Sequence, residues 1–267
     1  MISSIKSNEI ESQQMIRRLI VLMYILRENS MRLNKFISLT GVCSRREADA
    51  LITGKRVSIN GKTATLGQDV NIDDKVCVDG KLLKQNKNRN NIYIILNKPV
   101  GITCTTEQHI KGNIIDFVNH PERIFPVGRL DKDSEGLILL TNDGDIVNKI
   151  LREENNNKKE YIVTVDKTIT PSFINSMSKG VKIYNPVKNE YTVTKKCEVV
   201  KIKDKTFKIT LSQGLNRQIR RMSSGLGYNV VNLKRIKIMN LTLEGLKPGT
   251  WRNLTSKEIQ NIKTKLG

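Results

Sequence analysis

Val127-Gly128-Arg129-Leu130-Asp131-Lys132-Asp133-Ser134-Glu135-Gly136-Leu137-Ile138-Leu139-Leu140-Thr141-Asn142-Asp143-Gly144 is the stretch on which the reading of this chain turns. Leu137 to Leu140 is a continuous apolar run bounded by turn residues, the pattern of a strand buried on both faces. The half before it packs acids between two glycines, so at least one carboxylate is expected at the rim of the core. Gly128 and Gly136 are where the backbone can turn tightly or come close to another molecule. Arg129 sets a cation two residues from Asp131.

Two metal-binding readings compete here. Asp131, Asp133, Glu135 and Gly136 fall at positions one, three, five and six of a calcium loop, but position twelve, which needs a bidentate Glu, holds Asn142. The residues after Gly136 are of strand type and do not begin an exiting helix, so the calcium loop fails. The Asp-x-Asp pair of metal-dependent sugar transferases is the other, resting on a spacing common in any solvated turn.

The 267 residues suit a small module joined to a larger one. Lys and Arg total 46 against 26 Asp and Glu, a net charge of +20. So large an excess points to a polyanionic partner, because each phosphate neutralised releases counterions. Cys43, Cys77, Cys104 and Cys197 are widely scattered, and His109 and His120 are the only histidines. No zinc site can be assembled at a usual ligand spacing, and reduced thiols in a cytoplasmic protein are the plain reading. Leu19 to Leu26, within an N-terminal extension over residues 1–30, is too short to span a bilayer and has no cleavage site, so no membrane association is expected.

Residues 31–84 read as a compact module. Ser44-Arg45-Arg46-Glu47 is a capping box opening a helix that Gly54 can stop. Val57-Ser58-Ile59, Asn60-Gly61 and Lys62-Thr63-Ala64 read as strand, type I′ turn and strand, and Val76-Cys77-Val78 with Asp79-Gly80 gives a second such unit. Residues 85–91 are polar and read as a linker. Residues 92–267 form a second domain: a strand at Ile92–Leu96, short helices at Ile114–Val118 and Asp145–Leu151, a strand at Lys158–Val165, and a helix capped by Thr170 with Pro171 at its first position. Thr192–Lys203 and Thr206–Ser212 alternate across Asp204-Lys205 as an antiparallel hairpin, and further strands are expected at Val230–Ile238 and Leu241–Leu243. The fold class is α+β, a mainly antiparallel mixed sheet flanked by helices.

Two resemblances rest on these residues. Arg32-Leu33-Asn34-Lys35-Phe36-Ile37, then Gly41 to Ala48, then Val57 to Gly61, resembles the RNA-binding module first seen in ribosomal protein S4. That likeness makes Arg32, Lys35, Arg45, Arg46, Lys55 and Arg56 candidate phosphate contacts. Arg45 and Arg46 stand out because a helix N-terminus adds its own amides. Gly128-Arg129-Leu130-Asp131, Ser134, Gly136-Leu137 and Leu139 to Gly144 resemble the active-site segment of the RsuA family of pseudouridine synthases.

The second resemblance implies that Asp131 is the indispensable catalytic carboxylate. It makes Tyr161, in Lys159-Glu160-Tyr161, the ring that stacks on the target base. Arg220, in Gln213 to Met222, becomes the arginine that pairs with Asp131. Lys98, in Asn97-Lys98-Pro99-Val100-Gly101 beside the active cleft, and Arg129 join the RNA contacts. Arg217 and Arg221, at i and i+4, should share one helix face suited to phosphates, while Ser223-Ser224-Gly225 should weaken that helix. The likeness is to the branch acting on 23S ribosomal RNA and, secondarily, on the anticodon of tyrosine tRNA. The implied reaction involves no redox change and no outside nucleophile, so it demands no cofactor and no metal, and a monomer is the default expectation. A non-catalytic RNA-binding or ribosome-assembly factor is the alternative; it would use the basic module without needing Asp131, Tyr161 and Arg220 together.

Overall fold

The computed structural model describes residues 30–71, 73–84 and 90–266. The apolar run in the N-terminal extension and most of the expected linker lie outside the described residues. The chain divides into two units, Met1–Arg89 and Asn90–Gly267.

The small unit runs β1 (Ser30–Arg32), α1 (Leu33–Leu39), α2 (Arg45–Thr53), β2 (Val57–Ile59), β3 (Lys62–Thr63), β4 (Asp69–Asn71), β5 (Val76–Val78) and β6 (Lys81–Leu82). The capping box forms in full: the Glu47 amide donates to Ser44 Oγ at 3.2 Å, and the Ser44 amide donates to the Glu47 carboxylate at 2.6 Å. Asn60 and Gly61 both take positive φ, 51° and 81°, which a type I′ turn requires. The hairpins join as a four-stranded sheet, β3-β2-β5-β6. Leu33, Phe36 and Ile37 of α1 bury against Ala48 and Ile52 of α2 and Val57 and Val76 of the sheet. This core leaves the polar faces of both helices outward.

The large unit runs β7 (Tyr93–Lys98), α3 (Ile114–Val118), β8 (Phe125–Pro126), β9 (Glu135–Thr141), α4 (Gly144–Leu151), β10 (Lys159–Val165), α5 (Pro171–Lys179), β11 (Lys182–Asn185), β12 (Glu190–Val193), β13 (Glu198–Lys203), β14 (Thr206–Leu211), α6 (Gln218–Gly225), β15 (Val230–Ile238), β16 (Leu241–Thr242), β17 (Trp251–Asn253) and α7 (Ser256–Leu266). Its main sheet has the order β13-β14-β10-β15-β9-β7-β17. Every neighbour pair on that path is antiparallel except β15 with β9, which is parallel and matches only Lys234 to Glu135 and Arg235 to Gly136.

This short parallel seam divides the sheet into unlike halves. β7 and β9 are buried on both faces, with Ile95, Leu137 and Leu139 in one core and Ile94, Leu96, Ile138 and Leu140 in another. On the other side of the seam, β10 and β14 bury one face under α5 and α6, where Val163, Phe207 and Ile209 meet Phe173, Met177, Ile219 and Met222. The seam closes because position 136 is glycine. It sits at φ 107°, and a Cβ there would lie 2.2 Å from the Arg235 carbonyl oxygen.

Two expectations differ from the structure. Thr192 and Val193 do not begin a long strand; they end the separate hairpin β11–β12, and the chain breaks pairing before β13 starts at Glu198. Ser223-Ser224-Gly225 does not interrupt the helix after Arg221, since α6 continues to Gly225. Tertiary packing overrides weak propensity here: Met222 and Ser223 are fully buried, and a Cβ at position 225 would lie 3.3 Å from Val181.

Candidate active site

The loop from β8 to β9 carries Asp131, and its neighbours fix it at several points. Gly128 takes φ 75°, turning the chain. Leu130 is buried in the β7–β9 core, and its amide donates to Cys104 Sγ at 3.4 Å. The Lys132 carbonyl accepts from the Gly101 amide at 2.8 Å, and the Asp131 carbonyl accepts from the Ser134 amide at 3.0 Å. The backbone on both sides is therefore tied to the fold, while the Asp131 side chain keeps 30% of its exposure. It opens into a cavity of about 610 Å³ whose walls also include Arg129, Tyr161, Arg217 and Arg235. That volume exceeds the ~300 Å³ at the small end of ligand pockets, so a nucleotide base fits.

Tyr161 reaches the same cavity from β10, where it pairs with Ile209 on one side and Arg235 on the other. It packs partly against the cores of both sheet halves. Acid and aromatic ring thus come from opposite sides of the parallel seam, a juxtaposition that their separation in sequence hides.

The arginines divide their work differently from the expectation. Arg217 precedes α6 at φ 49°, outside the regular helix. Its guanidinium makes a bidentate bond to Asp133, at 3.0 and 2.8 Å, and lies 3.7 Å from the Asp131 carboxylate. Arg220 instead donates to the Asp133 carbonyl at 2.9 Å, Ser134 Oγ at 3.3 Å and the Val230 carbonyl at 3.1 Å. The pairing with Asp131 therefore falls to Arg217, and Arg220 buttresses the acidic loop from behind. The left-handed turn at Arg217 swings its side chain toward the cavity, which counting helical positions could not anticipate. Nor do Arg217 and Arg221 share a helix face: Arg221 donates to the Tyr184 carbonyl at 2.8 Å and to Asn216 Oδ1 at 3.1 Å.

Electrostatics follow the bonds. Hydrogen bonds from Arg217 hold the Asp133 carboxyl below the usual carboxylate range, with Arg220 adding to the effect. The same bond pushes Arg217 upward. Asp133 occupies the strong bidentate bond, so Asp131 has a cation nearby without having both oxygens locked.

Lys98 is not placed to touch RNA. It ends the buried strand β7 with no exposed surface, and its Nζ donates to the Pro99 and Ile102 carbonyls at 2.8 and 2.9 Å. Burial pushes its pKa down. Arg129 is exposed at the cavity wall. In the small unit Arg46 and Lys55 are exposed and Lys35 is half-buried, while Arg45 donates to Asn34 Oδ1 at 3.1 Å. Arg56 pairs bidentately with Asp79, and Arg32 donates to the Gly67 carbonyl and lies 3.4 Å from Asp69.

The sequence does not single out Arg235, and Ser134 figures there only as part of the active-site segment, with no role of its own. Ser134 is fully buried and accepts from Arg220; Arg235 is 4% exposed, and its Nε donates to the Leu137 carbonyl at 2.7 Å. A cation in an alternating strand reads as solvated, and only the seam's closeness shows otherwise. Among the described residues no cluster of three or more His, Cys, Asp and Glu is placed to hold a metal ion, and no helix is long and apolar enough to cross a membrane.

A basic helix-and-hairpin module thus precedes a mixed-sheet unit whose cleft is lined by an acid and an aromatic ring, an arrangement suited to an enzyme that modifies nucleic acid. Residues 92–224 match the RNA pseudouridylate synthase family, and residues 31–76 match the S4 domain. Over 238 residues the chain is 54% identical to the dual-specificity RNA pseudouridine synthase RluF of Escherichia coli strain K12, covering 89% of this chain and 80% of that one. It is 33% identical over 239 residues to ribosomal large subunit pseudouridine synthase B of Bacillus subtilis strain 168, covering 87% and 95%. A crystal structure of a pseudouridylate synthase superposes with a TM-score of 0.63 at 30% identity, covering 87% of this chain and 99% of that one. The chain belongs to the RNA pseudouridylate synthase family, as an isomerase acting on RNA with an S4 domain ahead of its catalytic unit.

Proposed function

We propose that this enzyme converts a uridine of 23S ribosomal RNA to pseudouridine, accepts a tRNA uridine as a second substrate, and uses Asp131 as its catalytic carboxylate. The observation that carries this reading is the opening of Asp131 and Tyr161, from opposite halves of the sheet, onto one cavity roomy enough for a nucleotide, with Arg217 beside the acid. The large-subunit and dual-specificity names of its relatives support the choice of RNAs.

The chemistry suits these residues. The bond from uracil N1 to ribose C1′ breaks, the base turns, C5 bonds to C1′, the C5 proton leaves and N1 gains one, so the product is an isomer of the substrate. No electrons enter or leave overall and no outside nucleophile is consumed. A carboxylate suffices, either by attacking C1′ as in retaining glycosidases or as a base on the ribose. Tyr161 provides a stacking face for the extruded uridine, whose removal from its helix costs a few kcal/mol. Arg217 screens Asp131, and Arg220 holds its loop through Asp133 and Ser134. Arg129 and the exposed cations of the small unit bind phosphates. A cytoplasmic monomer, working where ribosomal RNA is made, completes the reading.

The test incubates unmodified 23S RNA and tyrosine tRNA with the protein, labels pseudouridine with carbodiimide and maps stops by reverse transcription, with Asp131→Asn and a chelator in parallel. Modification that survives the chelator and vanishes in Asp131→Asn is expected. Modification that persists in Asp131→Asn would overturn the assignment.

A further inference from the structure

The hairpin β11–β12 lies outside the main sheet, and its two faces are opposite in character. Cross-strand pairing sets Lys182 against Val193 and Tyr184 against Tyr191. Strand alternation therefore turns Ile183 and Asn185 inward, where both are buried, and turns the other four side chains outward. Tyr191 and Val193 are 68% and 63% exposed. The two tyrosine rings meet edge to face at 5.5 Å, and Lys182 Nζ lies 5.3 Å from the Tyr191 ring centroid. A contiguous apolar face held in water marks a surface with a partner.

This face is held rigidly. Ile183 sits in the same core as Met222 of α6, Arg221 donates to the Tyr184 carbonyl, and the Thr194 amide donates to the Val181 carbonyl at 3.0 Å, closing the base of the hairpin. The face is also continuous with the active cleft, because Val187 in the turn, 81% exposed, forms part of the wall of the cavity containing Asp131 and Tyr161. Charge selects the occupant. Residues 179–196 contain five lysines and one acid, Glu190, which lies 3.7 Å from Lys188. A flat, anionic ligand that continues from a bound nucleotide satisfies aromatic face, lysines and position together.

We propose that the outward face of β11–β12 is a stacking shelf for an unpaired nucleotide of the substrate RNA flanking the target uridine. The proposal deepens the reading above and rests on it. Stacking on an aromatic ring is tolerant of base identity, so the shelf recognises strand separation beside the target and not a particular base.

The test uses the full chain with a 23S fragment carrying 5-iodouridine on either side of the target. Photo-crosslinks should map to the peptide containing Tyr191. Tyr191→Ala should raise the Kd and KM for the fragment about tenfold while leaving kcat at saturating RNA unchanged. Tyr191→Phe, which keeps the ring, should restore binding, a rescue that a merely structural role of the hydroxyl would not give. Unchanged Kd in Tyr191→Ala, equal losses in Phe and Ala variants, or a wild-type dimer that Tyr191→Ala dissociates would each overturn the shelf, the last by giving the face to a second copy. Failure of the wild type to isomerise the fragment, with crosslink and Kd loss intact, would sink the functional reading alone. An active wild type indifferent to Tyr191→Ala would sink the shelf alone.

Discussion

Among the described residues the small unit buries none of its cations, whereas the large unit buries a few of its own and leaves most exposed. In the small unit Arg45, Arg46, Lys55 and Arg56 stand exposed, their acids confined to local pairs such as Arg56 with Asp79. In the large unit Lys98 has no exposed surface, Arg235 keeps 4%, and the Arg220 side chain keeps 13%. An exposed cation is available to displace counterions from a phosphate backbone. A walled-in cation must be neutralised by neighbouring carbonyls and carboxylates, and the bonds that do so fix backbone geometry. A net charge of +20 therefore overstates the charge available to RNA, because part of it is structural.

The sharpest way to break this contrast is at the cleft. Asp131→Asn should abolish pseudouridine formation while leaving unfolding within about 1 kcal/mol of wild type, as expected for a half-exposed polar replacement. Activity within tenfold of wild type would remove the cleft from the chemistry.

Lys98→Ala comes next. Loss of a buried side chain and of two hydrogen bonds to carbonyls should cost about 2–4 kcal/mol in urea unfolding. The salt dependence of RNA binding should not change; a shallower slope would return Lys98 to the RNA contacts.

Arg217→Ala should slow single-turnover conversion about tenfold, which is ~1.4 kcal/mol of barrier. It also carries a pH signature. The folded pKa of Asp133 is depressed, so its contribution to stability is present above its unfolded value and is lost as pH falls through the folded one. Chemical denaturation across the acid range should show a weaker loss in Arg217→Ala than in wild type, and parallel curves would contradict the bond.

The smallest effect belongs to the exposed set. Arg46→Ala should weaken RNA binding a few-fold for matched and mismatched RNAs alike, and lower the slope of log K against log salt by about one. Loss of discrimination between RNAs would mean that the small unit reads more than backbone.

The features legible in the sequence were local. The capping box at Ser44, the Asn60-Gly61 turn, the Thr170-Pro171 helix start and the two-sided burial of Leu137 to Leu140 each depend on a few adjacent residues, and each is present. One feature that escaped depends on a partner far along the chain. The hairpin β11–β12 exists because Ile183 buries against α6, and nothing within residues 182–193 announces that helix. Two others escaped for local causes that residue type does not announce: the left-handed backbone at Arg217, and the Pro99 and Ile102 carbonyls that hold the Lys98 Nζ out of solvent.

The two-residue junction between β9 and β15 gives the large unit a mechanical character. Acid and ring stand on opposite banks of this join, and the Arg217 and Arg220 bonds to Asp133 and Ser134, with the Arg235 bond to the Leu137 carbonyl, also tie the banks together. The bare hydrogen at Gly136 thus sets the jaw width of the enzyme. A methyl group added there would meet the Arg235 backbone, beside Tyr161 in the sheet, and wedge the banks apart in the gap between Asp131 and Tyr161.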